Sequence, residues 1–365
     1  MKRKNTTNLG FWAKLSAQGG SRKKPIFALT PMSDVTDEAF RQMFVKYGGP
    51  DIFWTEFISC DGLCSKGKKN LLIDLKFRKN EHPIVAQIFG ANPENFYKCA
   101  KLINELGFDG IDINMGCPHK HIEKQGAGAA LMKNHKLAQE IILATKEGAR
   151  LRSGNARTSA KQAGNLPVSV KTRIGYNKNE TETWIPTLLK AKPAAIILHG
   201  RTRKELSKTP ARWDVIGRAA KIIKAKKSKT LIIGNGDIKD LSDARQKAKQ
   251  YNLDGIMVGR ATFGNPWFFN LKIKKEDVPL KKQLEVMLEH AVLFDKLYCA
   301  KTRLHPDPAK AGRDYGGQRN FSIMKKHFKA YASGFNGAKE LRVKLMRAKD
   351  VSEVKKIVRE FLLNQ

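Results

Sequence analysis

Short apolar, β-branched runs recur along the chain, and most are followed by a longer stretch with apolar residues three and four apart. The runs at 26–32, 51–57, 83–90, 110–116, 167–175, 195–202, 230–237 and 255–261 predict strands. The stretches 36–47, 93–106, 137–150 and 241–251 have the spacing of amphipathic helices. Asn92-Pro93 and Asp240-Leu241 supply helix starts: a side-chain acceptor, then a residue suited to the first turn. Strands alternating with helices predict a (β/α)8 TIM barrel. The rival is an open doubly wound sheet, but no G-x-G-x-x-G follows the first strand.

The strand pattern ends after Phe269. Residues 281–299 (KKQLEVMLEHAVLFDKLYC) place Leu284, Met287, Leu288, Ala291 and Val292 on one helical stripe. A second stripe, at 350–363, carries Val354, Ile357, Val358, Phe361 and Leu362. Basic helical stretches at 320–335 and 337–348 lie between them. The expected order is a basic N-terminal segment at 1–25, a barrel at 26–272 and a smaller all-helical domain at 281–365. One polar, basic stretch, RLRSGNARTSAKQAGN at 150–165, reads as a surface insertion on the barrel face away from the strand ends.

Charge sharpens the picture. The chain has 365 residues, with 69 Lys and Arg against 34 Asp and Glu, a formal charge of +35. Residues 281–365 hold 19 basic and 9 acidic side chains, leaving 50 and 25 for the rest, so no single tail carries the excess. Such a surface attracts polyanions, nucleic acid above all, because neutralised phosphates release counterions. General solubility is the plainer explanation. No apolar run approaches the roughly 18 residues of a membrane span, and no secretory signal opens the chain. A cytoplasmic protein without a membrane partner is expected. The five cysteines form no C-x-x-C pair, so neither a disulfide framework nor a metal site is expected.

In a barrel, chemistry gathers where the strands end. Those ends read Pro31-Met32, Gln87, Asn114 with Cys117, Lys171 with Arg173, His199 with Arg201, Asn235, and Gly259-Arg260. Gly234-Asn235-Gly236 and Gly259-Arg260 follow the seventh and eighth strands, where barrels commonly hold a phosphate, although ordinary glycine turns are the alternative for either alone. Gln87 and Lys171 then face the body of a phosphate-bearing cofactor. A lysine inside a strand is costly unless its charge meets a partner: a reduced flavin, or an internal salt bridge. A cysteine in a strand's exit turn, taken alone, is as readily inert as functional.

The ordered set TPMSDVTD (30–37), QIFG (87–90), NMGCP (114–118), GAGAAL (126–131), VKTRIG (170–175), HGRTR (199–203), GNGD (234–237) and VGRATFGNPW (258–267) resembles the tRNA-dihydrouridine synthase family over about residues 26–335. The resemblance implies an FMN-bearing barrel followed by a helical RNA-binding domain. It further implies reduction of the uracil C5=C6 bond in tRNA, by hydride from FMN that NADPH or NADH has reduced. Cys117 matches the family's proton donor, a role suited to a thiol that stays protonated at neutral pH. Pro31, Met32, Gln87, Lys171 and His199 match positions lining the flavin, and Asn235, Gly236, Gly259 and Arg260 match its phosphate site. Asn114 and Arg173 match groups facing the uracil. Lys325, Lys326, Lys329, Arg342 and Lys344 are candidates for the RNA backbone, and a monomer is expected. The first motif departs from the family at Thr30 and Ser33-Asp34, as does the 150–165 insertion. Three alternatives remain: a ribosomal RNA target, a barrel flavoenzyme acting on a free pyrimidine, and a non-catalytic RNA-binding protein.

Overall fold

Eight parallel strands lie side by side: β1 (Ile26–Leu29), β2 (Phe53–Ser59), β3 (Ile84–Phe89), β4 (Gly110–Met115), β5 (Val168–Arg173), β6 (Ala195–His199), β7 (Leu231–Asn235) and β8 (Gly255–Val258). Their order is β1-β8-β7-β6-β5-β4-β3-β2. The ring closes where Ala28 of β1 bridges Ile52, just ahead of β2, and the Leu29 N–H donates to the Ile52 carbonyl at 3.2 Å. The fold is thus the (β/α)8 barrel that the alternation predicts. The strands stop earlier than their apolar runs. The run from Ile26 loses its ladder at Pro31, which has no N–H, and that from Ala195 turns at Gly200.

This computed structural model describes residues 6–17, 24–150, 165–299 and 319–364. The 150–165 insertion, apart from its two end residues, lies outside the described residues. Two compact units are present: one of Met1–Pro31, Asp51–Lys68 and His82–Gly259, the other of Met32–Pro50, Lys69–Glu81 and Arg260–Gln365.

The helices, in chain order, are α1 (Phe11–Ala17), α2 (Glu38–Tyr47), α3 (Cys60–Leu63), α4 (Lys68–Leu71), α5 (Pro93–Glu105), α6 (Lys120–Lys124), α7 (His135–Gly148), α8 (Thr181–Lys190), α9 (Trp213–Ala225), α10 (Leu241–Gln250), α11 (Leu280–Phe294), α12 (Met324–Tyr331), α13 (Ala338–Arg347) and α14 (Val351–Leu363). The expected caps form: Asn92 Oδ1 accepts from Glu94 N–H at 2.9 Å, and Asp240 Oδ1 from Asp243 N–H at 2.8 Å.

In the first unit, alternation along each strand sends every second residue to one face. Along β7 that face reads Leu231, Ile233, Asn235; along β6 it reads Ala195, Ile197, His199. The apolar members, with Ile26, Trp54, Val85 and Met257, form one cluster near the strand starts, and Trp12 of α1 is buried in it. The N-terminal segment therefore contributes a helix whose tryptophan joins the barrel core. The same face turns polar towards the strand ends. That gradient positions the site.

In the second unit, Leu284, Met287 and Phe294 of α11 pack with residues of α12, α13 and α14. Ala39 and Met43 of α2 join the same cluster, although α2 directly follows β1 in the chain. A buried ion pair, Arg41 to Glu81 at 2.5 Å, joins two segments of this unit, and Arg41 also donates to the carbonyls of Thr36 and Lys76. His290 of α11 and His327 of α12 lie in the apolar interior, ring centroids 4.6 Å apart. Both are fully buried, and among the described residues none of their four ring nitrogens has a hydrogen-bond partner.

Candidate active site

The polar ends of β3, β4 and β5 converge on a cavity of about 150 Å³. Gln87, Asn114, Cys117, Lys171 and Arg173 line it, together with Pro31 from the end of the β1 segment. Six of the residues singled out from the sequence thus meet at one place. Phe57 of β2 adds an apolar wall that the sequence reading did not identify.

Cys117 leaves β4 through a turn that its neighbour holds. Asn114 Oδ1 accepts from the N–H groups of Gly116 at 3.1 Å and Cys117 at 2.9 Å. The loop then returns, and Ala129 N–H donates to the Cys117 carbonyl at 3.0 Å. Gly128 has φ +60°, and a Cβ there would lie 2.8 Å from that carbonyl oxygen, so only glycine fits without strain. From the far side Arg203 clamps the loop, donating through Nε to both oxygens of Glu123 on α6 at 2.9 and 2.8 Å. Burial pushes the Cys117 thiol up from its ordinary value, outweighing the His119 backbone N–H and the nearby Arg173 and Lys171, which favour the thiolate. The group is therefore an acid at neutral pH.

Arg173 is spent largely on backbone: it donates to the carbonyls of Gly116 at 2.7 Å, Thr202 at 3.2 Å and Leu206 at 3.0 Å. It braces the Cys117 turn while still lining the cavity. Lys171 Nζ donates to Asn235 Oδ1 at 3.3 Å. Burial, then the neighbouring Arg173, lowers Lys171 to about 8, against the pull of Asp112. At neutral pH the cavity therefore has two cations on its wall.

Beyond it, His199 pairs in register with Asn235, and Arg201 Nη1 lies 3.2 Å from His199 Nε2. Gly236 has φ +133°, and a Cβ there would come within 2.6 Å of the Ala211 Cβ. Asn235 Nδ2 donates to the Met257 carbonyl at 2.9 Å, tying β7 to β8 just before Gly259. None of His199, Asn235, Gly236 and Gly259 lines the small cavity; they continue the same rim along β6, β7 and β8. Met32 and Arg260 fall one residue beyond the first unit and belong to the second.

Among the described residues, no group of three or more His, Cys, Asp or Glu is placed to hold a metal ion. The donor set suits a ring with carbonyl oxygens and anionic character: two cations, and two amide groups that each commit one of their two N–H bonds inside the protein.

The sequence reading missed Asp112, Ser169, Arg203 and Glu123. Asp112 carried a signal: it shares strand parity with Asn114 and so faces the barrel interior, where a carboxylate needs partners.

A dihydrouridine synthase (Dus) family model matches residues 28–365. The chain belongs to the dihydrouridine synthase family. The probable tRNA-dihydrouridine synthase 2 of Bacillus subtilis (strain 168) is 36% identical over 353 residues, covering 96% of both chains. The probable tRNA-dihydrouridine synthase of Staphylococcus aureus (strain Mu50) is 35% identical, covering 96% of this chain and 95% of its own. Among solved structures, a dihydroorotate dehydrogenase from Eimeria tenella matches 69% of this chain and 85% of its own at TM-score 0.45 and 12% identity. Histamine dehydrogenase from Rhizobium sp. 4-9 matches 73% of this chain and 48% of its own at TM-score 0.47 and 11% identity. As a dihydrouridine synthase family member, the chain is an oxidoreductase. Among the described residues, no helix is long and apolar enough to cross a membrane.

Proposed function

We propose that the protein reduces the C5=C6 bond of uridines in tRNA to dihydrouridine, with FMN as bound cofactor, NADPH or NADH as reductant and Cys117 as proton donor. The observation that carries this reading is the Cys117 thiol, kept protonated by burial, on the wall of the cavity that Gln87, Asn114 and Lys171 also line.

FMN, when bound, supplies the hydride that saturates C6. Gln87 and Lys171 hold the ring by N–H donation and positive charge, with Pro31 and His199 beside them. Asn235, Gly236 and Gly259 offer the phosphate a rim of amide groups, and Met32 and Arg260 are assigned to the flavin on the family motifs alone. Asn114 and Arg173 face the uracil. As C6 is saturated, negative charge develops at C5, and the Cys117 Sγ–H delivers the proton there. Removal of the target uridine from its stack calls for a wide grip on the RNA, which we assign to the basic helices at 281–365 following a catalytic barrel at 26–272. The protein acts as a cytoplasmic monomer on this reading, with no metal.

Two measurements test it. Purified protein should show a flavin absorbance spectrum, and a deletion strain should lose dihydrouridine from defined tRNA positions. Colourless protein that FMN does not reconstitute overturns the flavin reading. Loss of dihydrouridine from ribosomal RNA alone moves the target there.

A further inference from the structure

The side-chain amide of Gln87 lies between a carboxylate and a second amide, which determines which way round it must sit. Asp112 of β4 is fully buried and does not line the cavity. Its Oδ1 accepts from Ser169 Oγ at 2.6 Å, and its Oδ2 from Gln87 Nε2 at 2.6 Å. An ionised carboxylate only accepts, so the nitrogen of Gln87 must face it. Gln87 Oε1 then receives Asn114 Nδ2 at 3.0 Å, and Asn114 Oδ1 is left to hold the N–H groups of Gly116 and Cys117. Reversing either amide would set two acceptors or two donors face to face in a buried place, at the full cost of unmade hydrogen bonds.

We propose that Asp112 is a positioning residue: it sets the direction of the chain Asp112–Gln87–Asn114 and thereby anchors the turn that carries the Cys117 thiol. The same polarity leaves one unspent N–H bond on each amide, while the Asn114 oxygen already accepts twice. The cavity is so made to receive a ring that presents carbonyl oxygens. Only the identity of that ring rests on the function proposed above; the anchoring of Cys117 does not. Ser169 matters less, because its hydroxyl approaches the other carboxylate oxygen and has the Ile111 carbonyl, 3.4 Å away, as a second acceptor.

The test compares Asp112→Leu, Asp112→Asn and Ser169→Ala. Iodoacetamide alkylation of Cys117 is followed by peptide mass spectrometry on flavin-free protein, and FMN affinity is measured separately by fluorescence. Asp112→Leu should speed alkylation about fivefold and raise the FMN dissociation constant about tenfold or more, as expected for a lost charge-assisted hydrogen bond. Asp112→Asn should restore both to within about threefold, since its oxygen still accepts from Gln87 while its nitrogen donates to Ser169. Ser169→Ala should change either by less than about twofold. A folded Asp112→Leu variant with unchanged alkylation overturns the proposal, as does an Asp112→Asn variant as impaired as Asp112→Leu. If circular dichroism shows Asp112→Leu unfolded, Gln87→Met breaks the same chain one link on; unchanged alkylation in that variant overturns the proposal equally. Faster alkylation in a protein that never binds FMN supports Asp112 and counts against the flavin reading instead.

Discussion

Lys171 Nζ stands 3.3 Å from Asn235 Oδ1, which ties the middle of β5 to the end of β7 across β6. Because Asn235 Nδ2 is committed to the Met257 carbonyl, its oxygen is turned to the lysine. A half-buried cation whose hydrogen bond to Asn235 is long and neutral is unfavourable for the protein alone and useful to an anionic ligand.

The lysine therefore predicts opposite effects on stability and binding. Its folded value, about 8, lies below the ordinary 10.5, so the folded state binds the proton less well than the unfolded one. The cost is fully present below pH 8 and fades as pH rises from 8 towards 10.5. Lys171→Met should stabilise flavin-free protein at pH 7 by about 2–3 kcal/mol and weaken FMN binding at least about tenfold. Urea unfolding and fluorescence titration on the same variant check both signs.

Cys117→Ala should keep the flavin spectrum and its reduction by NADPH. It should lose uridine reduction by about 10²–10⁴-fold, the usual contribution of a positioned acid. Because burial raises the thiol, the wild-type rate should stay level through neutral pH and fall only on the alkaline side. An unaltered turnover rate in the variant, measured with tRNA under single-turnover conditions, would remove Cys117 from the mechanism.

The loop after Cys117 is held at two points that can be released separately. Glu123→Gln weakens the Arg203 clamp, and Gly128→Val forces a side chain into a φ of +60° against the Cys117 carbonyl. Gly128→Val should cost about 1–3 kcal/mol and lower the melting temperature. Glu123→Gln should leave the melt nearly unchanged but hasten protease cleavage within 118–128. Thermal denaturation with limited proteolysis distinguishes the two.

His290 and His327 predict acid sensitivity of the helical unit. Burial drives both below the ordinary value, His327 to about 3 with a further push from Lys326, and His290 with a further push from His327. The unfolded chain takes up protons below about pH 6.5 and the folded one does not, so stability is lost as pH falls from there. His327 should cost about 2 kcal/mol at pH 5 relative to pH 7, and His290 should add a loss of the same sign. His327→Phe should remove its share of that loss, as read by urea unfolding at the two pH values.

The proposed RNA grip is best tested by charge rather than by truncation. A chain ending at Leu280 would strip Ala39 and Met43 of the apolar partners they share with α11 and α12. Lys329 and Lys344 are exposed, whereas Lys326 is paired with Asp34 at 3.0 Å. Lys329→Glu with Lys344→Glu should weaken tRNA binding and flatten its log–log salt dependence, by about 0.7–0.9 for each phosphate no longer neutralised. Lys326→Ala should do less. Filter binding across a salt series reads both.

Alternation and helical spacing are local properties, written in residues one to four apart, and so they are legible in the sequence. Eight runs gave eight parallel strands, and the polar residues at their ends, Gln87, Asn114 and Lys171, line one cavity. The same reading could not see which polar groups would be consumed by the protein itself. Arg173 reads as a site cation, yet three backbone carbonyls from distant turns occupy it. Asp112 reads as a lone acid in an apolar strand until Gln87 and Ser169, 25 and 57 residues away in the chain, are brought to its two oxygens. Trp12 and α2 likewise reveal their places only through the cores they complete. Periodicity decides which face a residue takes; the closing of the strands into a ring decides what that face meets, because partners far apart in sequence leave no local trace of each other.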